Sequence, residues 1–119
     1  MLNSPSEYIV QGLDDLLPKL EAAQAAGARF SKWRVPIACT QSDLPTEASL
    51  RAHAETLASF AAISQQAGLV PIVEPDVEFS ADASLSRSVE VHQKAIRLIF
   101  SRCLDRGVLL EGRLRFPNT

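Results

Sequence analysis

Cysteine and histidine are both scarce in this chain of 119 residues, which has two of each. Cys39 and Cys103 lie far apart, form no C-x-x-C and have no histidine at ligand spacing, so neither a disulfide framework nor a zinc site is indicated. His53 and His92 are isolated on predicted helices, and we expect neither to be a ligand or a catalytic base. The composition therefore predicts two reduced thiols and no metal.

Long apolar runs and blocks of one charge are also absent. No apolar stretch approaches the roughly 20 residues that span a bilayer, and the first ten residues lack a basic region followed by an apolar one. The 12 basic and 14 acidic side chains contain no run of Lys or Arg that would attract a polyanion. We therefore expect a cytoplasmic protein that binds neither membrane nor nucleic acid.

Glycine is rare too, but three of the five glycines divide the chain into units. Gly27, Gly68 and Gly107 stand 41 and 39 residues apart. A helix-like stretch precedes each glycine and a short apolar stretch follows it, which is typical of a helix end leading into a buried strand. Three such helix-strand units predict an α/β fold with parallel strands joined by right-handed crossovers.

Apolar residues at helical spacing mark the three predicted helices. In the first unit, Pro18 suits the first turn, and the apolar face is Leu13, Leu16, Leu17 and Leu20. The second helix is predicted to begin at the N-cap Thr46, with the stripe Leu50, Ala54, Leu57, Ala61 and Ile63. In the third, the predicted stripe is Leu85, Val89, His92, Ile96, Ile99 and Cys103.

The predicted strands are 28–35, 69–75 and 108–116, two of which are nearly continuous apolar runs. Such runs indicate strands that are covered on both faces. Units of this length fit both an open doubly wound sheet and a (β/α)₈ barrel, although no G-x-G-x-x-G follows a strand. We expect residues 1–10 to be a lead-in and residues 11–119 to be one domain.

Charged pairs interrupt the first two strands near their predicted ends. Lys32 and Arg34 lie two residues apart, as do Glu74 and Asp76, so each pair projects from one face of its strand. Polar groups at the carboxyl ends of parallel strands converge where α/β barrels hold their active sites. We interpret the cations as ligands for a phosphate or carboxylate and Glu74 as a proton carrier; the alternative is a set of structural ion pairs.

The segments "GLDDL", "GARFSKWR", "GLVPIVEPD" and "LLEGRL" with "FPN" together resemble one family, the class I, Schiff-base-forming fructose-bisphosphate aldolases. The resemblance extends from Gln11 to Asn118, in the family's order and with nearly its spacing. Any one segment alone would be weak, but "KWR" followed about forty residues later by "GLVPIVEP" and then by "LLEG" is a specific combination.

The resemblance implies part of a (β/α)₈ barrel, strands four to six, from an enzyme of glycolysis and gluconeogenesis. This lyase reversibly cleaves fructose 1,6-bisphosphate into dihydroxyacetone phosphate and glyceraldehyde 3-phosphate, without a metal or other cofactor. The family's members are expected to form homo-oligomers.

The resemblance also implies roles for individual residues. Lys32 would assist electrostatically at the reacting carbon, Glu74 would be the acid/base carboxylate, and Arg34 would contact a substrate phosphate. Asp76 stands where the family usually has a second glutamate, which keeps the charge but shortens the reach by one methylene.

The final stretch departs from the family's pattern. The family's "LLEGTLLKPNM" contains the lysine that forms the imine, whereas "LLEGRLRFPNT" has Phe116 at that position. A phenyl ring cannot attack a carbonyl, and the adjacent Arg115 is a protonated, poor nucleophile. We therefore expect a fragment of the family that is inactive alone, because it lacks both the imine-forming lysine and the rest of the barrel. Two alternatives are a non-catalytic phosphosugar-binding or scaffold protein and an α/β domain whose charged pairs are structural.

Overall fold

Helices and strands alternate along residues 13–110, the part of the chain that the computed structural model describes. A 3₁₀ turn, Leu13–Asp15, leads into the elements, which are α1 (Leu16–Ala25), β1 (Phe30–Cys39), α2 (Glu47–Gln66), β2 (Val70–Phe79) and α3 (Leu85–Asp105). Pro18 lies in the first turn of α1, as predicted. The predicted α/β class and the order of the elements are confirmed.

The two strands pair in parallel along their whole length. The register runs from Phe30 opposite Val70 to Cys39 opposite Phe79, and α2 forms the connection between the strands. Parallel neighbours need such a crossover because the chain must return to the same end of the sheet. The prediction of parallel strands is therefore correct.

Both strands continue past the residues at which we expected them to end, Val35 and Pro75. A proline fits a strand wherever its nitrogen faces away from the hydrogen-bonded neighbour. The Val70 amide donates to the Arg29 carbonyl (2.9 Å), so even-numbered residues of β2 direct their amides at β1. Pro75 occupies an odd position and costs this ladder no hydrogen bond.

The core lies between one face of the sheet and the helices. Odd-numbered side chains of β1 from Trp33 to Cys39 are buried there, and the Trp33 ring packs edge-on against Phe60 of α2, with ring centroids 5.0 Å apart. The other core residues include Val35, Ile37, Leu50, Leu57, Val73 and Ile99. Within residues 13–110 only this face of the sheet is packed against helices, so the expectation of two covered faces is wrong for this part of the chain.

The buried face of α3 differs from the predicted stripe. Val91, Ala95, Ile99 and Cys103 are buried, whereas Leu85 is 81% exposed. Apolar side chains occur on two faces of α3, and contact with α2 and β2 determines which face is covered. Periodicity alone could not decide between these faces, so the first half of the predicted stripe was wrong.

Each helix ends two residues before the glycine that the sequence predicted as its stop. Gly68, for example, has a φ of +85°, and the amide of the next residue, Leu69, donates to the Ser64 carbonyl (2.9 Å). Only glycine adopts this left-handed conformation without strain, so the turn from α2 into β2 depends on it. Phe116, the rest of the third predicted strand beyond Leu110, and the lead-in at 1–10 lie outside the described residues.

None of the helices within residues 13–110 has the length and apolar character needed to cross a membrane.

Candidate functional site

A row of charged side chains occupies the sheet face opposite the helices. Even-numbered positions of both strands project there, which brings together all four predicted charged residues, Lys32, Arg34, Glu74 and Asp76. Glu78 extends the row and was not predicted, because we expected β2 to end at Pro75. The alternation of Glu74, Asp76 and Glu78 in steps of two was the signal for it. We call these five residues the charged face.

The positions of these residues within the strands differ from the prediction. Lys32 and Arg34 lie in the first half of β1, and Glu74 and Asp76 lie in the middle of β2, rather than at the carboxyl ends. The reason is that both strands run several residues further than predicted. The charged face therefore lies on the strands themselves and not on the loops that follow them.

Lys32 and Glu74 form one ion pair of the charged face. The Lys32 Nζ lies 3.1 Å from Glu74 Oε1, although Ile72 is the residue directly opposite Lys32 in the register. A long lysine side chain reaches this diagonal neighbour easily. The pair puts an ammonium group beside a half-buried carboxylate, which is an arrangement that can move a proton to or from a bound molecule.

Arg34 holds the other two carboxylates. Its Nε lies 2.9 Å from Asp76 Oδ2, its Nη2 also contacts that oxygen, and the same Nη2 lies 2.9 Å from Glu78 Oε2. The hydrogen bonds to Asp76 raise the pKa of Arg34 above its usual value, and the nearby charges of Glu78 and Glu74 act in the same direction. The guanidinium is therefore a permanent cation whose attraction for anions is already directed at two carboxylates.

The loops after the two strands are tied to each other at one end of the charged face. Arg87, in the first turn of α3, donates to the carbonyls of Thr40 (3.1 Å) and Leu44 (3.0 Å). The Gln41 Oε1 accepts a hydrogen bond from the Ser84 amide (2.7 Å). These bonds hold the rim of the sheet in place, and nothing in the sequence pattern had singled out Arg87 for this role.

His92, which we expected to be isolated, lines a groove of about 410 Å³ that Glu74 and Asp76 also line. His53 lies on α2, and partial burial lowers its pKa. In the described part of the chain, no group of three or more His, Cys, Asp or Glu side chains is placed to hold a metal ion.

The fold and the charged face together define a class of protein: a parallel α/β protein whose sheet presents paired cations and carboxylates on one face. A comparison with protein families identifies the class more closely. The family model described as "Glycolytic: Fructose-bisphosphate aldolase class-I" matches residues 1–119. The chain therefore belongs to the class I fructose-bisphosphate aldolase family.

Individual relatives agree with this assignment. The chain is 40% identical over 113 residues to a fructose-bisphosphate aldolase of Dictyostelium discoideum, an alignment that covers 94% of this chain and 32% of the relative. It is 39% identical over 112 residues to fructose-bisphosphate aldolase B of Gallus gallus, an alignment that covers 94% of this chain and 30% of that relative. The chain thus spans about a third of the length of the curated relatives it matches.

A solved structure resembles the described fold as well. It is the fructose-bisphosphate aldolase of Plasmodium falciparum in complex with TRAP and a small-molecule inhibitor. The TM-score is 0.82 at 38% identity, over 88% of this chain and 30% of that one. The prediction of a partial aldolase-type barrel is confirmed.

Proposed function

We propose that the charged face is the central part of an aldolase site, the kind of site that cleaves fructose 1,6-bisphosphate reversibly into two triose phosphates in glycolysis. The observation that carries this proposal is the parallel register. It brings Lys32 within 3.1 Å of Glu74 and places Arg34 on the same face, in a chain that belongs to the aldolase family.

In this proposal each charged residue has a separate task. Arg34 attracts a phosphate of the substrate, because a guanidinium matches the geometry of phosphate oxygens. Glu74 carries the protons that are exchanged when a carbinolamine forms and loses water. Lys32 supplies positive charge where negative charge develops at the reacting carbon.

The covalent step requires a further group, a neutral amine that attacks the ketose carbonyl and becomes an imine. The family's lysine for this step corresponds to Phe116, which has no nucleophilic atom. Lys32 is not a substitute, because it is exposed and held in an ion pair with Glu74. We therefore propose that this polypeptide binds its ligand without forming an imine and does not turn it over.

A trapping experiment tests this proposal. The purified chain is incubated with dihydroxyacetone phosphate and reduced with borohydride, and its intact mass is measured. We expect no adduct on the parent chain and an adduct on the Phe116→Lys variant, located at residue 116 by peptide mapping. A stable adduct on the parent chain would contradict the proposal. Failure of a folded Phe116→Lys variant to react would show that residue 116 is not the only barrier.

A second function, non-catalytic binding of phosphosugars, is favoured by the same substitution. Phe116 cannot supply the nucleophile, whereas the cations and carboxylates of the charged face are all present on β1 and β2. Saturable binding of dihydroxyacetone phosphate that Arg34→Ala abolishes, with no borohydride adduct, would identify the chain as a binding or scaffold protein.

Three further parts of the proposal concern the chain as a whole. Residues 11–119 form one unit of the aldolase barrel. The protein is cytoplasmic, in keeping with Cys39 and Cys103, which are both buried and not disulfide-bonded. Assembly into a homo-oligomer follows from the family resemblance alone.

A further inference from the structure

Arg34 is shared between two carboxylates that hold it in different ways. Asp76 contacts both Nε and Nη2 and is 36% exposed, whereas Glu78 contacts Nη2 alone and is 57% exposed. A two-point contact restrains the guanidinium more firmly than a single one. Glu78 is therefore the more weakly held partner and the easier one to displace.

The register explains how Glu78 reaches Arg34. Pro36 and Ala38 are the residues of β1 that lie opposite Asp76 and Glu78. Neither has a long or charged side chain, so the only basic group of β1 near these carboxylates, within the described residues, is Arg34. Its side chain leans along the strand toward them.

The charged face has an excess of negative charge. It contains two cations, Lys32 and Arg34, and three carboxylates, of which Glu78 is the third. A phosphate that approaches Arg34 meets the Glu78 carboxylate on the same nitrogen, and two anions on one donor repel each other. Binding of the phosphate therefore requires that Glu78 move away or lose its charge.

We propose that Glu78 determines the affinity of this site for phosphorylated ligands by competing with their phosphate for Nη2 of Arg34. The proposal rests on the proposed function, in which Arg34 is the phosphate contact. It predicts that the chain binds phosphate compounds weakly, and that removal of the Glu78 charge alone strengthens the binding.

Titration calorimetry with inorganic phosphate and with dihydroxyacetone phosphate, at low ionic strength, tests this prediction. Glu78→Gln keeps the size and polarity of the side chain and removes its charge. We expect it to lower the dissociation constant about fivefold for both probes, which is the scale of one exposed ion pair. Glu21→Gln, the same change at an exposed position of α1, is the matched control and leaves the dissociation constant unchanged.

The Arg34→Ala variant separates failure of this proposal from failure of the proposed function. Equal affinities of the parent and Glu78→Gln chains, with binding abolished by Arg34→Ala, would overturn the role of Glu78 and leave the role of Arg34 intact. Binding that persists in Arg34→Ala would overturn both. Absence of binding by every variant, each shown to be folded by circular dichroism, would also overturn the role of Glu78, because a gain of affinity is required.

Discussion

Alternate residues of β1 serve opposite purposes. Trp33 is fully buried against Phe60, while its neighbours Lys32 and Arg34 project from the other face of the sheet. A shift of the strand by one residue would bury both cations and expose the indole, at a large cost in free energy. The packing of Trp33 in the core therefore fixes the direction in which the site residues point.

Burial of Cys103 makes the stability of the fold depend on pH. Burial raises the pKa of its thiol to about 11, and the nearby charge of Arg106 opposes this only in part. Because the folded-state pKa lies above that of the unfolded chain, the associated stability is complete below the unfolded pKa and is lost as the pH rises through the folded one. We predict that the free energy of unfolding falls between about pH 9 and pH 11.

Urea denaturation at several pH values across this range measures the effect. The Cys103→Ala variant removes the thiol and is expected to lose less stability over the same range, although its core is weaker at every pH. Parallel pH profiles for the two chains would contradict a role of the buried thiol.

The N-terminus of α2 is a feature that the sequence alone predicted correctly. We predicted Thr46 as the N-cap, and its Oγ1 accepts a hydrogen bond from the Ser49 amide (3.1 Å). Glu47 follows in the first turn, and its hydrogen bond to Lys94 of α3 lowers its pKa. A cap depends on neighbouring residues in the chain, which is why sequence alone identified it.

Loss of this cap is expected to weaken the chain. Thr46→Ala removes the oxygen that satisfies the Ser49 amide and should lower the free energy of unfolding by about 1 kcal/mol, measured by urea denaturation. Thr46→Ser keeps the oxygen and serves as the control. If the serine variant is destabilised as much as the alanine variant, the hydrogen bond is not what stabilises the start of α2.

Other features of the elements depend on tertiary contacts and could not be predicted. The covered face of α3 is set by α2 and β2, so the exposure of Leu85 was not evident from apolar spacing. The continuation of β2 through Pro75 depends on which way each amide faces its neighbour. Because that extension was missed, Glu78 was missed as well.

Across the described part of the chain, the site results from pairing two distant segments. The spacing of two residues predicted that Lys32 and Arg34 share one face of their strand and that Glu74 and Asp76 share one face of theirs. Both predictions are confirmed. The register of the two strands could not be predicted from the sequence. It brings Lys32 to Glu74, and it brings Arg34 to Asp76 and Glu78. The functional roles of these residues are still predictions.

The location of ligand binding tests the central claim most directly. Phosphate could instead bind in the groove beside α3 that Arg87, Lys94 and Arg97 line. In a titration of the ¹⁵N-labelled chain with dihydroxyacetone phosphate, we predict that the largest amide shift changes occur on β1 and β2 around Arg34 and Glu74. Saturable changes confined to residues around Lys94 and Arg97, with the two strands unaffected, would contradict the assignment of the charged face as the phosphosugar site.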